Sequence, residues 1–309
     1  MNAKIEHINI SVTNQCNLHC KQCSIWNESP KYDLSPESVE NILRSQASDM
    51  AGIALTGGEP FLHEEFADIV GIVLQRKPEY LKNITTNGTL ADPMLALFER
   101  YGQKLSRCSL HVSLDGINCH DRQRGQSLDL IRRNISVIRE RFPEINIRLK
   151  FTITKLNYTD IIPTYEYAKQ NRLGFKIKLA ENAQNYTNRI FGGTMSEFTV
   201  GEEKAIARDL FKIYKELKDK NNTDALFISK TIDFLLQKGG KGFCKTPFNR
   251  IFVMQDGEVY SCIHYQRIGN IHQNTLDEIW LSQQAHSIRA EIDRHGCGKC
   301  VAYHGYSPD

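Results

Sequence analysis

From residue 5 to about residue 181 the chain switches repeatedly between two patterns of apolar spacing. Residues 5–12 (IEHINISV) alternate apolar and polar side chains and are rich in β-branched residues, which predicts a strand. Ser35-Pro36-Glu37 then opens a helix, with Ser35 as N-cap and Pro36 at the first helical position. Residues 52–58 (GIALTGG) read as a buried strand ending in glycines. Residues 63–77 follow with helical spacing and acidic side chains in the first turn. The same alternation predicts strands over 81–88, 108–114, 145–154 and 175–180. The intervening helices follow Asp92-Pro93, cover 128–142, and run through Tyr167.

Six strand-then-helix units define an α/β class with a parallel sheet and helices outside it. The sheet is expected as an open doubly wound one or a partial barrel, with the active site at the C-terminal ends of its strands. Residues 201–220 form an amphipathic helix read as a connector, and Lys238-Gly239-Gly240 is a break. Residues 249–262 predict a β-hairpin turning at Asp256-Gly257, and residues 275–292 a helix before a Cys-rich tail. The expected divisions are 1–200, 201–240 and 241–309. There is no internal repeat.

Composition excludes some classes. Lys and Arg number 39 against 36 Asp and Glu, a net charge of +3, too balanced for a dedicated nucleic-acid binder. No apolar run is long enough to span a bilayer, and the first residues carry no secretory signal. A cytoplasmic location is expected. Nine cysteines in such a chain call for metal or redox chemistry rather than disulfides. Seven of them fall into two groups, Cys16, Cys20 and Cys23, then Cys244, Cys262, Cys297 and Cys300.

The first group is a C-x3-C-x2-C motif directly after the first strand. Three thiolates on one loop can hold three corners of a [4Fe–4S] cluster and leave the fourth iron open; short cysteine runs also bind zinc. The motif and its position resemble the radical S-adenosylmethionine (radical SAM) family. The resemblance covers residues 5 to about 181 and implies a partial (β/α)6 barrel. It also implies a cluster whose open iron binds S-adenosylmethionine (SAM), yielding a 5′-deoxyadenosyl radical that abstracts a substrate hydrogen. Gly57-Gly58-Glu59-Pro60 matches the family's GGEP motif, which receives the methionyl ammonium. Thr86 and Asn87 end the third strand near the cofactor. Ser113-Leu114-Asp115-Gly116 matches the SLDG of members with extra clusters, and Arg124 is expected at the SAM carboxylate. Gln22 departs from the family, which has an aromatic residue there against the adenine; Gln22 can still hydrogen-bond adenine, and Trp26 can supply a stacking surface.

The second group offers a closed set of four thiolates, for zinc or for a [4Fe–4S] cluster. The run from Cys244 through Gly257 to Cys262 resembles the entry of the SPASM and twitch domains that follow many radical SAM barrels. With Cys297 and Cys300 it resembles the shorter twitch form, which implies one auxiliary cluster suited to electron transfer, and two clusters in all.

Cys108 is expected in the core. Cys119 lies just past the fourth strand, where some radical SAM epimerases keep a hydrogen-atom donor. His7, His63, His111 and His264 are candidate bases, and Glu181, Asn182 and Asn185 candidate pocket residues. The resulting expectation is a SAM-dependent radical oxidoreductase acting on a peptide or a small polar substrate such as an aminocyclitol. It would be reduced by a flavodoxin- or ferredoxin-type donor, without nucleic-acid or membrane partners. The alternatives are an epimerase using Cys119, and a non-enzymatic zinc-binding protein.

Overall fold

The computed structural model describes residues 3–45, 51–76, 78–180, 195–218, 222–236, 244–297 and 300–301. Strands β1 (His7–Ser11), β2 (Gly52–Thr56), β3 (Leu81–Thr86), β4 (Ser109–Ser113), β5 (Asn146–Ile153) and β6 (Gly174–Leu179) run parallel and are neighbours in that order. Between them lie α1 (Pro36–Leu43), α2 (Phe66–Arg76), α3 (Ala91–Tyr101), α4 (His120–Arg124), α5 (Leu128–Arg141) and α6 (Ile161–Gln170). Local chemistry sets the helix starts. The Ser35 hydroxyl accepts from Ser38 N–H with Pro36 in the first turn, and the Ser127 hydroxyl accepts from Asp129 N–H.

The strands are two-faced. Ile8, Ile10, Leu55, Leu149 and Phe151 are fully buried, in one core with Ile69 and Val73 of α2 and Ile131 of α5. Each such side chain stabilises the fold by about 1.5–3 kcal/mol. The alternate residues point the other way, onto a cavity lined from every strand: His7, Gly52, Asn83, His111, Lys150 and Lys176. The sheet therefore curls around that cavity as a partial barrel.

The remaining elements are α7 (Val200–Leu217), α8 (Thr223–Leu235), α9 (Thr246–Asn249), β7 (Arg250–Val253), β8 (Glu258–Tyr260), β9 (Gly269–Asn270), α10 (Leu276–Trp280) and α11 (Gln283–His295). The hairpin turns where expected. Gly257 has φ +81°, its N–H donates to Met254 O at 2.9 Å, and Met254 N–H donates to Glu258 O at 2.8 Å. Its first strand, β7, pairs parallel with β1, His7 opposite Arg250. The sheet thus continues past β1 to nine strands and carries the hairpin on its edge. Trp280 fastens the C-terminal part to the N-terminus. It is fully buried, its Nε1 donates to Ala3 O at 3.2 Å, and the Arg289 guanidinium lies 3.8 Å from its ring centroid.

One expectation is corrected. The helix over 275–292 is two helices, because the Ser282 hydroxyl accepts from Ala285 N–H and caps a second start after α10 has ended at Trp280. In the stretch 201–240, read as a helical connector, the described residues form two helices. The second, α8, is capped by Asn222, packs against β6, and places Asp224, Phe227 and Ile228 on the cavity wall. The Lys238-Gly239-Gly240 break and the candidates Glu181, Asn182 and Asn185 lie outside the described residues. Among the described residues no helix is long and apolar enough to cross a membrane.

Candidate active site

The loop after β1 carries Cys16, Cys20 and Cys23, and the end of β2 holds it from below. Gly58 N–H donates to Thr13 O at 2.7 Å, and Glu59 N–H donates to Gln15 O at 2.8 Å. A Cβ on Gly58 would lie 2.0 Å from Gln15 O, so only glycine permits this approach. From the other side, Lys21 N–H donates to Gln123 O at 2.9 Å and ties the loop to α4.

Glu59 is fully buried behind the loop. Its carboxylate accepts from the Thr86 hydroxyl (2.7 Å), Asn87 N–H (2.7 Å) and Phe61 N–H (3.3 Å). Burial still pushes its pKa up to about 7, these donors offsetting only part of the desolvation. Gly57, Gly58, Thr86, Asn87 and Ser113 lie on the cavity wall, whereas Glu59, Pro60 and Asp115 do not line it.

Asp115, also fully buried, joins three elements. It accepts from Arg124 Nε at 2.6 Å, from Gln22 Nε2 at 2.6 Å and from Thr152 N–H at 2.7 Å. The carboxylate fixes the Gln22 amide orientation, since only its NH2 can donate there. Gln22 Oε1 is left buried with no hydrogen-bond partner among the described residues, on a side chain that lines the cavity. An orphaned buried acceptor costs about 1–3 kcal/mol, so the site is shaped for a donor that enters it.

The three thiols line the same cavity, with Leu18, Ile25 and Trp26. Trp26 packs on His19 at 4.5 Å between ring centroids, and its Nε1 donates to Cys23 O at 2.8 Å. Burial raises the Cys16 thiol to about 11 and the Cys23 thiol to about 12, and raises Cys20 as well. The Cys20 charge also raises Cys16, and the Cys20 and Cys16 charges raise Cys23, while Arg124, 3.8 Å from Cys20 Sγ, opposes this. Buried thiols with mutual repulsion favour a multiply charged cation among them.

In the second group, Cys262 and Cys300 face the same cavity. Burial raises the Cys244 thiol, and the charge of Cys297 raises it further. Tyr265 feels both Cys297 and Cys262, and burial first, then these charges, raise its hydroxyl. As a donor set, four thiols match the thiolate ligation of an iron–sulfur cluster. Among the described residues no three His, Cys, Asp or Glu side chains are gathered tightly enough for a single metal ion.

Several candidates lie elsewhere. Cys119 does not line the cavity; its N–H donates to Asp160 Oδ2 at 2.9 Å and its Sγ lies 3.9 Å from Arg122. Cys108 is buried in the core, as expected. His63 is structural: its Nε2 faces Leu34 O at 3.0 Å and its Nδ1 accepts from Glu65 N–H. His7, His111 and His264 do line the cavity. So do Lys150, Lys176 and Lys178, which the sequence reading did not single out. Their signal was present in charged residues alternating with apolar ones on β5 and β6.

The family described as the radical SAM superfamily matches residues 10–168, and the family described as an iron–sulfur cluster-binding domain (SPASM) matches residues 244–301. The chain is similar to the GTP 3′,8-cyclase of Nautilia profundicola, 26% identical over 290 residues, or 87% of this chain and 84% of that protein. The GTP 3′,8-cyclase of Helicobacter pylori is 25% identical over 275 residues, 86% of this chain and 82% of that protein. Among solved structures, Streptococcus suis SuiB bound to S-adenosylmethionine aligns with a TM-score of 0.69 at 17% identity, over 93% of this chain and 68% of SuiB. At that identity the likeness is one of fold.

Proposed function

The chain belongs to the radical SAM superfamily and carries a C-terminal iron–sulfur cluster-binding domain, and from that premise we propose that it oxidises a small polar substrate held in the barrel cavity. Cys16, Cys20 and Cys23 would hold a [4Fe–4S] cluster, and Cys244, Cys262, Cys297 and Cys300 a second one. Bound there with SAM, the two clusters supply a hydrogen-abstracting radical and an acceptor for the second electron of an oxidation.

The chain's own residues do the positioning. Arg124, held by Asp115 and set beside Cys20, offers its remaining guanidinium N–H groups to the SAM carboxylate. Gln22 Oε1 accepts from the adenine amine. The Gly57-Gly58 turn with Thr86, Asn87 and Ser113 forms the wall for the methionyl part, and Glu59 holds that wall from behind. The observation that carries this reading is the common cavity of about 520 Å³. The three loop thiols, Gln22, Arg124 and the second group's Cys262 and Cys300 all face it. A chamber of that size suits a small molecule better than a folded partner.

A flavodoxin- or ferredoxin-type protein would deliver electrons in the cytoplasm. The test is anaerobic incubation with SAM and dithionite. The unaltered protein should release 5′-deoxyadenosine and methionine, and the Cys16/Cys20/Cys23→Ala variant neither. Absence of both products from the cluster-loaded, unaltered protein overturns the reading.

A further inference from the structure

The inner face of the barrel carries charge that neither the fold nor the cysteine groups require. Lys150 on β5 stands opposite Lys176 on β6, and Thr152 opposite Lys178. All three lysines face the cavity. Lys82, Arg124 and Arg250 raise the basic side chains on the wall to six, against Asp224 as the one carboxylate lining it among the described residues.

Local pairing neutralises part of this charge. Asp224 pairs with Arg148 and lies 3.8 Å from Lys176, and Asp115 takes Arg124 from behind the wall. The Lys150 ammonium makes no hydrogen bond or ion pair among the described residues. Two histidines respond to the same field. Burial first, then Arg250 and Lys82, lower His7 to about 4. Burial first, then Lys176, Lys150 and Arg148, hold His111 far below its ordinary value. Both rings are neutral at pH 7 and add no charge of their own. Burial, Lys178 and Lys176 depress Lys150 itself to about 7.

Like charges around a desolvated chamber repel one another, and an anion placed between them reverses that sign. A phosphoryl group suits the arrangement. It offers several acceptor oxygens and multiple negative charge, and lysines bind it as point charges. The cavity volume admits a small molecule carrying such a group. We propose that Lys150, Lys176 and Lys178 form a phosphate subsite, so that the substrate of this enzyme is a phosphorylated small molecule. The assignment rests on the reading of the cavity as the reaction chamber.

The test uses the cluster-loaded protein with inorganic pyrophosphate as probe and citrate as a carboxylate polyanion, both followed by calorimetry. The unaltered protein should bind pyrophosphate at least about tenfold more tightly than citrate. Lys150→Met and Lys178→Met should each weaken pyrophosphate binding by about tenfold. Lys204→Met, an exposed change on α7 that removes the same charge, should leave it unaltered. Lys150→Met should also unfold at a higher temperature than the unaltered protein, since it removes repulsion; a folded, more stable and weaker-binding variant supports the subsite. No pyrophosphate binding, equal binding of citrate, or equal loss in Lys204→Met overturns it. SAM cleavage is measured on the same unaltered sample. Its failure removes the radical reading and leaves the anion result standing, and the converse outcome removes only the subsite.

Discussion

Arg124 Nε donates to Asp115 Oδ2 at 2.6 Å, in a pair whose carboxylate is fully buried and whose guanidinium side chain is 10% exposed. The same carboxylate takes Gln22 and Thr152 N–H, so one residue fixes the cysteine loop, the loop of α4 and strand β5 relative to one another.

Asp115→Asn should therefore act at a distance. An amide cannot satisfy three donors as a carboxylate does, and leaving Arg124 buried beside Cys20 without its partner costs about 3–5 kcal/mol. The expected result is a lower melting temperature and a rise of at least tenfold in the SAM dissociation constant. Equal SAM affinity in the folded variant would show that Arg124 does not depend on Asp115.

Gln22→Met tests the orphaned acceptor. It removes Oε1 and keeps most of the side-chain volume. SAM affinity should fall by about tenfold, the value of one hydrogen bond to a buried acceptor. Calorimetry with SAM and with methionine alone separates the contributions. Methionine binding should hardly change, because the acceptor faces the adenine; equal losses for both ligands would contradict that placement.

Gly58→Ala drives a methyl group to within 2.0 Å of a backbone oxygen, where no side-chain rotation relieves it. The loop must move away from β2, at a cost of about 3 kcal/mol or more. The brown cluster absorbance should drop along with the melting temperature. Full cluster loading in a stable variant would mean that the close approach at Gln15 is dispensable.

Lys150 predicts a pH effect with a definite sign. Its folded pKa is lowered from 10.5 to about 7, so between those values the unfolded chain binds more protons and stability rises with pH. Urea midpoints should climb from pH 7 to about 7.5, below the range near 8.5 where unfolded thiols ionise. Lys150→Met should climb less. Parallel slopes would show that Lys150 is not depressed.

The sequence shows the six-unit alternation plainly because each strand keeps an unbroken apolar face against the helices. The Ser35 cap and the Asp256-Gly257 turn were legible for the same reason, that their chemistry is local. What was hidden is long-range. Nothing near Arg250 signals that β7 will join β1, and no local pattern shows that Asp224 of α8 will meet Arg148 and Lys176. The cysteine spacings marked the loop and the tail, but not that Cys262 and Cys300 share one cavity with Cys16, Cys20 and Cys23. Cys119 follows a strand end, yet Asp160 captures its backbone away from the cavity, a contact 41 residues distant in sequence.

In the proposed function, two cysteine groups hold two iron–sulfur clusters around one chamber. Iron and acid-labile sulfide, counted after anaerobic reconstitution, test it most directly. About eight irons and eight sulfides per chain are expected, falling to about four of each in the Cys16/Cys20/Cys23→Ala variant. Zinc without sulfide, or iron that does not fall in that variant, would contradict it.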